Sequence, residues 1–347
     1  MNEFYAAFIP GLQNLIADVI KERLPDVKIH KLLDGAVLFE TATDYDKLNF
    51  FCFNNIFAVI SVMEQADNDV KPKTALEKHI KSAVKSNAAS DIINNNNKKF
   101  HTFRIVASAE NVPAAVDEKA RAEAESYISR LSGLKVNRSL PDTEFWFLFR
   151  NEKDQANFSV FMKRLTIRPS WEKTLHKGEL PPPLAWTLCR LANLVHSDTV
   201  LDPFCGYGSI PDTALKHFHI KKFIACDNNK EAVLYTKTRF NKRKKDDFVF
   251  YDGDFSALPS IVAEKSIDAI VTDPPWGEYK EIKDGFFLEK MFEVFGKLLK
   301  DGGRAVVLYA SDDELLKTVP SCFKLENSVQ ILLSGRKAVI YQFFKKE

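Results

Sequence analysis

The hydrophobic pattern of this 347-residue chain changes character near its middle. From residue 184 onward, short apolar runs alternate with segments of helical period. Residues 199–204, 222–227, 248–251, 269–273 and 304–310 read as strands, and 209–217, 231–242 and 286–299 as the helices between them. That alternation predicts a parallel sheet with helices on both faces. The rhythm breaks at the end, where two strand-like runs, 328–333 and 337–344, meet at Ser334-Gly335-Arg336. An antiparallel hairpin that closes the sheet fits there.

Upstream the pattern is different. Residues 4–8, 28–30, 36–39 and 57–62 read as short strands, with a helix over 12–24, which suits a small α+β unit of ferredoxin-like type. The stretch 86–99, with Asn94-Asn95-Asn96-Asn97, reads as a mobile loop. A second α+β segment follows, with strands near 103–108 and 145–149 flanking a helix over 114–131. Within it, Phe145, Trp146 and Phe147 read as core rather than as a platform for stacking bases. The run Pro181-Pro182-Pro183 reads as a stiff, extended end to this region, after which 184–191 opens a helical pattern. The expected organisation is therefore 1–70, 71–165, a linker over 166–183 and a Rossmann-like domain over 184–347. No internal repeat is visible.

Composition narrows the picture only slightly. Apolar residues make up 45% of the chain, enough for a sizeable core, while a net charge of +2 excludes a histone-like basic binder. Contact with nucleic acid would rest on local patches. The candidates are Lys71, Lys73, Lys78, Lys81 and Lys85, then Lys163, Arg164 and Arg168, then Lys242-Arg243-Lys244-Lys245. Each also reads simply as a solvated helix face or helix end. The five cysteines form no C-x-x-C pair and read as reduced thiols. Met1-Asn2-Glu3-Phe4 has no signal-peptide character, and the longest apolar stretch, 56–63, is too short to span a bilayer. A soluble cytoplasmic protein is expected.

The chemistry gathers at the ends of the later strands. Asp202-Pro203-Phe204-Cys205-Gly206-Tyr207-Gly208-Ser209 follows the first of them, with glycines that let backbone N–H groups approach a ligand and Ser209 placed to cap the next helix. Asp227 ends the second strand at a spacing suited to a ribose diol, with Asn228 beside it. Asp254-Phe255 follows the third, where a carboxylate and a ring could bracket an adenine. Asp273-Pro274-Pro275-Trp276 follows the fourth, a stiff turn that sets a carboxylate, carbonyls and an aromatic ring around one spot. A lone G-x-G is only a turn, but four strand-end acids in order mark a ligand site. An acid at the first strand end disfavours a pyrophosphate and suits a cationic nucleoside such as S-adenosylmethionine. No phosphate loop, zinc-ligand set or activated nucleophile is evident, and Cys205 reads as a packed thiol.

With those residues in place, the chain resembles the class I S-adenosylmethionine-dependent methyltransferases, and more narrowly the THUMP-domain tRNA guanine-N2 methyltransferases, including their Trm-eleven-like bacterial branch. Gly11-Leu12 after Phe4–Pro10 is similar to that family's ferredoxin-like start. Phe103-Arg104-Ile105-Val106 and Lys135–Asp142 resemble its THUMP module, and His176-Lys177-Gly178-Glu179-Leu180-Pro181-Pro182 its linker over the cofactor. The resemblance implies that Asp202, Gly206 and Gly208 hold the methionine part of the cofactor, Asp227 the ribose, and Asp254 with Phe255 the adenine, with Phe204 and Asn228 also among the cofactor-binding residues. Asp273, Pro274, Pro275 and Trp276 would be the catalytic set that receives the base. Tyr207 and Ser209 stand where Ser and Thr are usual, Thr213 where many relatives carry Glu, and Trp276 where Tyr or Phe is common. The implied activity is methylation of an exocyclic amine in structured RNA, foremost guanine N2 in tRNA, with no metal and with room for a small activator protein. The rivals are guanine N2 in rRNA, adenine N6, and a non-catalytic RNA-binding or assembly protein on the same fold.

Overall fold

A computed structural model describes residues 1–65, 69–86, 90–94, 100–110, 112–151, 156–165, 175–244, 246–276, 286–310, 314–333 and 335–347. The chain divides into two units. One holds residues 1–7, 13–49 and 53–169, and the other 8–12, 50–52 and 170–347.

The first unit runs β1 (Asn2–Ala7), α1 (Gln13–Arg23), β2 (Lys28–Leu33), β3 (Ala36–Thr41), β4 (Asn55–Glu64), α2 (Pro72–Ser86), α3 (Ser90–Asn94), β5 (Thr102–Ala109), β6 (Val112–Pro113), α4 (Glu118–Ser132), β7 (Lys135–Val136), β8 (Thr143–Arg150) and β9 (Phe158–Arg164). Its strands form one sheet in the order β2-β3-β1-β4-β9-β8-β5-β6, with β7 beside β5. The sheet runs through the expected division at residue 70, because β4 pairs antiparallel with β9. Helices α2 and α4 cover one face. Leu76, Ile80, Ala124 and Ile128 pack there on Phe103, Phe145, Phe147 and Phe161, and the last two rings stack at 4.2 Å.

Two expectations change in this unit. Part of the stretch read as a loop is helical, since Ser90–Asn94 forms α3; Asn95, Asn96 and Asn97 lie outside the described residues. Lys163 and Arg164 are not a solvated patch. Strand β9 is flanked by β4 and β8 and buried on both faces. There Arg164 donates to Glu144 Oε2 at 2.9 Å, and Lys163 Nζ to the Ile92 carbonyl at 3.2 Å. The Arg164 bond joins β9 to β8, and the Lys163 bond reaches α3. Arg168 lies outside the described residues, as does Lys245. The lysines of α2 do face solvent, while Ala75, Leu76, His79, Ile80 and Ala83 turn inward.

The second unit runs α5 (Pro182–Leu191), β10 (Thr199–Asp202), α6 (Ser209–His217), β11 (Lys222–Asp227), α7 (Lys230–Arg239), β12 (Phe248–Asp252), a 3-10 turn (Phe255–Ser260), β13 (Ile267–Thr272), α8 (Phe287–Leu298), β14 (Leu299–Ala310), α9 (Glu314–Thr318), β15 (Phe323–Leu333) and β16 (Arg336–Lys345). The strand order is β12-β11-β10-β13-β14-β16-β15. Strands β10 to β14 are parallel, and β15 and β16 add the antiparallel hairpin. Alternating side chains explain the two-sided burial. Leu201, Ile224, Ile270 and Val307 face the cluster built on Met291, Phe292 and Phe295 of α8. Their neighbours Val200, Phe223, Ala269 and Val306 are buried too. The proline run corrects the sequence reading: Pro182 and Pro183 are the first residues of α5, where a missing N–H costs nothing. Gly11, at φ 97°, lies against the Gln330 and Ile331 backbone, where a Cβ would collide. Beside it the Leu332 N–H donates to the Pro10 carbonyl at 3.2 Å.

Candidate active site

The chain steps outward from β10 to β11 and β12, then returns to lay β13 on the other side of β10. In an open parallel sheet, that reversal leaves a crevice beyond the carboxyl ends of the two central strands. A cleft of about 1030 Å³ opens there. Phe204, Gly206, Asp227, Asn228, Asp254, Phe255, Asp273, Pro274, Pro275 and Trp276 all line it. The two remaining candidates lie elsewhere. Asp202 is 1% exposed, behind the wall, and Gly208 caps α6.

Asp202 ends β10 because Pro203 cannot continue the ladder. Its Oδ1 accepts from Thr272 Oγ1 at 2.7 Å and from the Phe204 N–H at 3.1 Å. Its Oδ2 is buried with no hydrogen-bond partner. Burial pushes this carboxyl up to about 7, against the pull of those two hydrogen bonds and with a push from Asp227. Asp273 follows the last residue of β13. Burial, and then the charge of Asp202, push it up to about 8. Asp273 Oδ1 and the Trp276 indole N–H are both buried without completing a hydrogen bond, although the indole lies close enough to draw the carboxyl partly back down. An opposite charge brought close to these two acids would lower both, because it favours the ionised form.

The donor side is held by backbone. Asp227 Oδ2 accepts from the Gly206 N–H at 2.7 Å and Oδ1 from the Asn229 N–H at 2.8 Å, which fixes the carboxylate against the glycine loop. Asp254 caps the 3-10 turn by accepting from the Ser256 N–H at 2.9 Å, and Asn228 Nδ2 reaches its other oxygen at 3.4 Å. Partial burial pushes Asp254 up, but those hydrogen bonds and the Lys290 ammonium outweigh it and hold the carboxyl below its usual value. Phe204, Phe255 and Phe287 form an aromatic wall, with ring centroids 4.8–5.6 Å apart. The sequence pattern does not point to Phe287, because it opens a helix rather than ending a strand.

The two glycines serve different purposes. Gly206, at φ 50°, has open space where a Cβ would stand, so the backbone itself forms the wall. Gly208, at φ 86°, would drive a Cβ to 2.8 Å from the Phe240 ring. Gly208, not Ser209, is the helix cap. Ser209 instead donates to Glu179 Oε1 at 3.2 Å, and the rest of that interaction belongs to a strap. Residues 175–181 run along the cleft. His176 stacks on Tyr207 at 4.1 Å and 7°, with Tyr235 edge-on at 4.6 Å. Arg239 ties the strap down through Glu179 at 3.2 Å, the Tyr207 carbonyl at 3.0 Å and Asp212 at 3.0 Å. Tyr207, itself a departure from the family form, and Asp212, next to the departure at Thr213, are thus used structurally. Cys205 is buried, and burial together with nearby carboxylates raises its thiol far above the usual value, so it is no nucleophile.

Residues 169–330 match the family model described as UPF0020, RMKL-like, methyltransferase domain. The tRNA (guanine(10)-N2)-dimethyltransferase of Methanocaldococcus jannaschii is 32% identical over 209 residues, covering 55% of this chain and 56% of that protein. The chain thus spans about half the length of this relative. A protein of Methanothermococcus thermolithotrophicus, named "Probable tRNA (guanine(10)-N2)-dimethyltransferase", is 30% identical over 128 residues, covering 35% of this chain and 76% of that one. In structure, TrmN from Thermus thermophilus aligns over 99% of this chain and 100% of its own, with TM-score 0.79 at 21% identity. That likeness establishes the shared α/β methyltransferase fold with mixed sheets. Three strand-end acids around one cleft with Asp202 buried behind them, the glycine loop of β10 and these relatives agree, and the chain belongs to the class I S-adenosylmethionine-dependent RNA methyltransferases.

Proposed function

We propose that this protein transfers a methyl group from S-adenosylmethionine to the exocyclic N2 of a guanine in tRNA. One observation carries the reading. Asp273, on a proline-stiffened turn, shares a cleft with Asp227 and Asp254, the acids suited to a ribose and an adenine. Donor and acceptor ends thus open into one space. The names of the archaeal relatives support tRNA and guanine N2 as substrate and target.

Bound S-adenosylmethionine supplies an electrophilic methyl group on a positively charged sulfur. The cleft fits such a ligand, since Asp202 and Asp273 are raised acids that a nearby cation would ionise. Asp227 and Asn228 would hold the ribose, and Asp254 and Phe255 the adenine. Gly206 would offer backbone to the methionine part, with Phe204 beside it and Asp202 and Gly208 supporting the loop. The attacking amine is a poor nucleophile because its lone pair is delocalised into the ring. Ionised Asp273 and the Pro274 carbonyl would accept hydrogen bonds from the two amine N–H groups and turn the lone pair toward the methyl group, and the Asp273 carboxylate would be the nearest acceptor for the one proton the methylated nitrogen sheds. Trp276 and the Pro275 turn would fix the plane of the base. Positioning of this kind can supply roughly 7–11 kcal/mol. The base must leave its stack to enter, at a cost of about a few kcal/mol.

The N-terminal region belongs to the same reading. A ferredoxin-like part over 1–70 and a THUMP module over 71–165, joined by 166–183 to the domain over 184–347, would present RNA to the cleft. The exposed lysines of α2 are the candidate phosphate contacts. Among the described residues, no helix is long and apolar enough to cross a membrane, in keeping with a cytoplasmic site of action.

Nucleoside mass spectrometry on tRNA and rRNA from a strain lacking the gene tests the proposal. N2-methylguanosine should disappear from tRNA and return with wild type but not with Asp273→Ala. Loss from rRNA alone, or loss of a methyladenosine, would overturn the guanine or tRNA assignment. Failure to bind S-adenosylmethionine would favour a non-catalytic RNA binder. Activity of the purified chain alone decides whether a small activator protein is a second partner.

A further inference from the structure

We infer that Arg336 anchors the phosphodiester next to the target nucleotide, at a subsite on the acceptor flank of the cleft. The inference rests on the proposed methylation of RNA. Four acids line the cleft, Glu179, Asp227, Asp254 and Asp273, against three cations, Lys177 on the strap, Lys290 and Arg336. The acids suit a cationic cofactor and repel a polyanion, so an RNA strand needs a cation where its backbone passes. Strand order says where that is. Counting from β13, which delivers Asp273, the cofactor acids lie toward β10, β11 and β12. On the other side come β14 and then β16, whose first residue is Arg336. Two strand spacings separate β13 from β16, roughly 10 Å, about the reach of a nucleotide from base edge to phosphate.

The β15–β16 ladder sets the position of Arg336. Leu333 and Arg336 are the last pair of the β15–β16 ladder, and Gly335 takes φ 83° between them. Ala338 pairs with Ala310, the last residue of β14. Arg336 therefore stands two residues past the carboxyl end of that strand, beside the cleft that Leu333 also lines. Lys290, another cation of the cleft, acts on Asp254 and belongs to the donor side. A guanidinium is the better phosphate ligand, because its fork meets two oxygens at once.

The test compares wild type with Arg336→Gln, Arg336→Glu, Arg336→Lys and the control Lys324→Gln, an exposed lysine at the start of β15. The probe is bulk tRNA from a strain lacking the gene. Arg336→Gln should raise the KM for tRNA about tenfold, Arg336→Glu more, and Arg336→Lys should recover part of the loss. The slope of log binding constant against log salt should shrink by roughly 0.7–0.9, the loss of one phosphate contact. Lys324→Gln should change neither, and Kd for S-adenosylmethionine should stay within twofold in all four variants. Unchanged tRNA KM and salt slope in Arg336→Glu would overturn the phosphate assignment while leaving the methylation reading intact. An equal loss of cofactor affinity would overturn it too, by making the residue a support of the whole cleft. A wild-type enzyme that neither binds nor methylates tRNA removes both proposals together.

Discussion

Thr272 Oγ1 donates to Asp202 Oδ1 at 2.7 Å, tying together the carboxyl ends of the two central strands, β13 and β10. The bond satisfies one oxygen of a buried carboxyl and leaves the other bare. Asp202 thereby becomes a charge-sensitive base to the cleft, coupled to Asp273 on the same strand end as Thr272.

Stability should therefore depend on pH in a defined direction. Burial raises Asp202 to about 7 and Asp273 to about 8, from 3.8, so the folded protein holds their protons more tightly than the unfolded chain. That contribution is complete below about pH 4 and is lost as pH rises through 7 to 8. Ligand-free protein should melt at a lower temperature at pH 8.5 than at pH 6, and Asp202→Asn should remove part of the difference, leaving the share that the burial of Asp273 itself supplies. Scanning fluorimetry across this range decides it; a flat wild-type profile refutes the coupling.

Cofactor binding should show the same two protons. S-adenosylmethionine carries a sulfonium charge that its product, S-adenosylhomocysteine, lacks. Between pH 6 and 8.5 the ratio of their affinities should move toward the sulfonium by about tenfold, equivalent to ~1.4 kcal/mol of added attraction between the ionised carboxyls and the charged sulfur. Calorimetry in buffers of different ionisation enthalpy should also detect proton release on binding S-adenosylmethionine. Equal pH dependence for both ligands would place the carboxyls out of reach of the sulfur.

Arg239 should control cofactor retention with little effect on folding. Its three hydrogen bonds to Glu179, Tyr207 and Asp212 tie the strap to α6 and the glycine loop, yet partly exposed ion pairs contribute only ~1 kcal/mol or less to stability. Arg239→Met should leave the melting temperature within a few degrees. It should raise KM for S-adenosylmethionine about tenfold and speed trypsin cleavage after Lys177. Unaltered KM and cleavage would mean the strap stays down without it.

Gly11→Ala should be among the more damaging single substitutions. The residue combines φ 97° with backbone contact on its vacant side, so a methyl group meets strain and collision together. A loss of ~2 kcal/mol or more is expected in urea unfolding. A loss below ~0.5 kcal/mol would show that the segment 8–12 can lift away at little cost.

The second unit is largely legible in the sequence because its strands are short apolar runs ended by Asp or Pro, and its hairpin turns at a glycine. Strand-end acids at regular intervals bring the cleft with them, and ten of the twelve candidate residues line it. What the pattern conceals is burial of charge. Lys163 and Arg164 look like a phosphate patch in one dimension, and only the pairing of β9 with β4 and β8 places them beside Glu144 and Ile92. Helix α2 is hidden by its lysines, although Ala75, Leu76, His79, Ile80 and Ala83 keep a helical stripe. Phe287 and Arg239 reach the site from helices, where no strand-end rule points. Asp202 sits buried against Thr272 rather than on the cleft wall, a placement that depends on neighbouring strands far apart in sequence.

The position of Gly11 also bears on the order in which the enzyme can be built. Residues 8–12 are made more than three hundred residues before the backbone they rest on, 330–332. Synthesis proceeds at ~5–20 residues per second, so this segment waits many seconds for its seat. Strand β15 is the outermost of its sheet, and residues 9–12 cover part of its free edge. A fragment started near residue 170 would carry that edge bare, the arrangement most open to strand-to-strand aggregation. Residues 8–12 thus act as an edge guard, and a methyltransferase piece made for study should bring them along, supplied in cis or as a separate peptide.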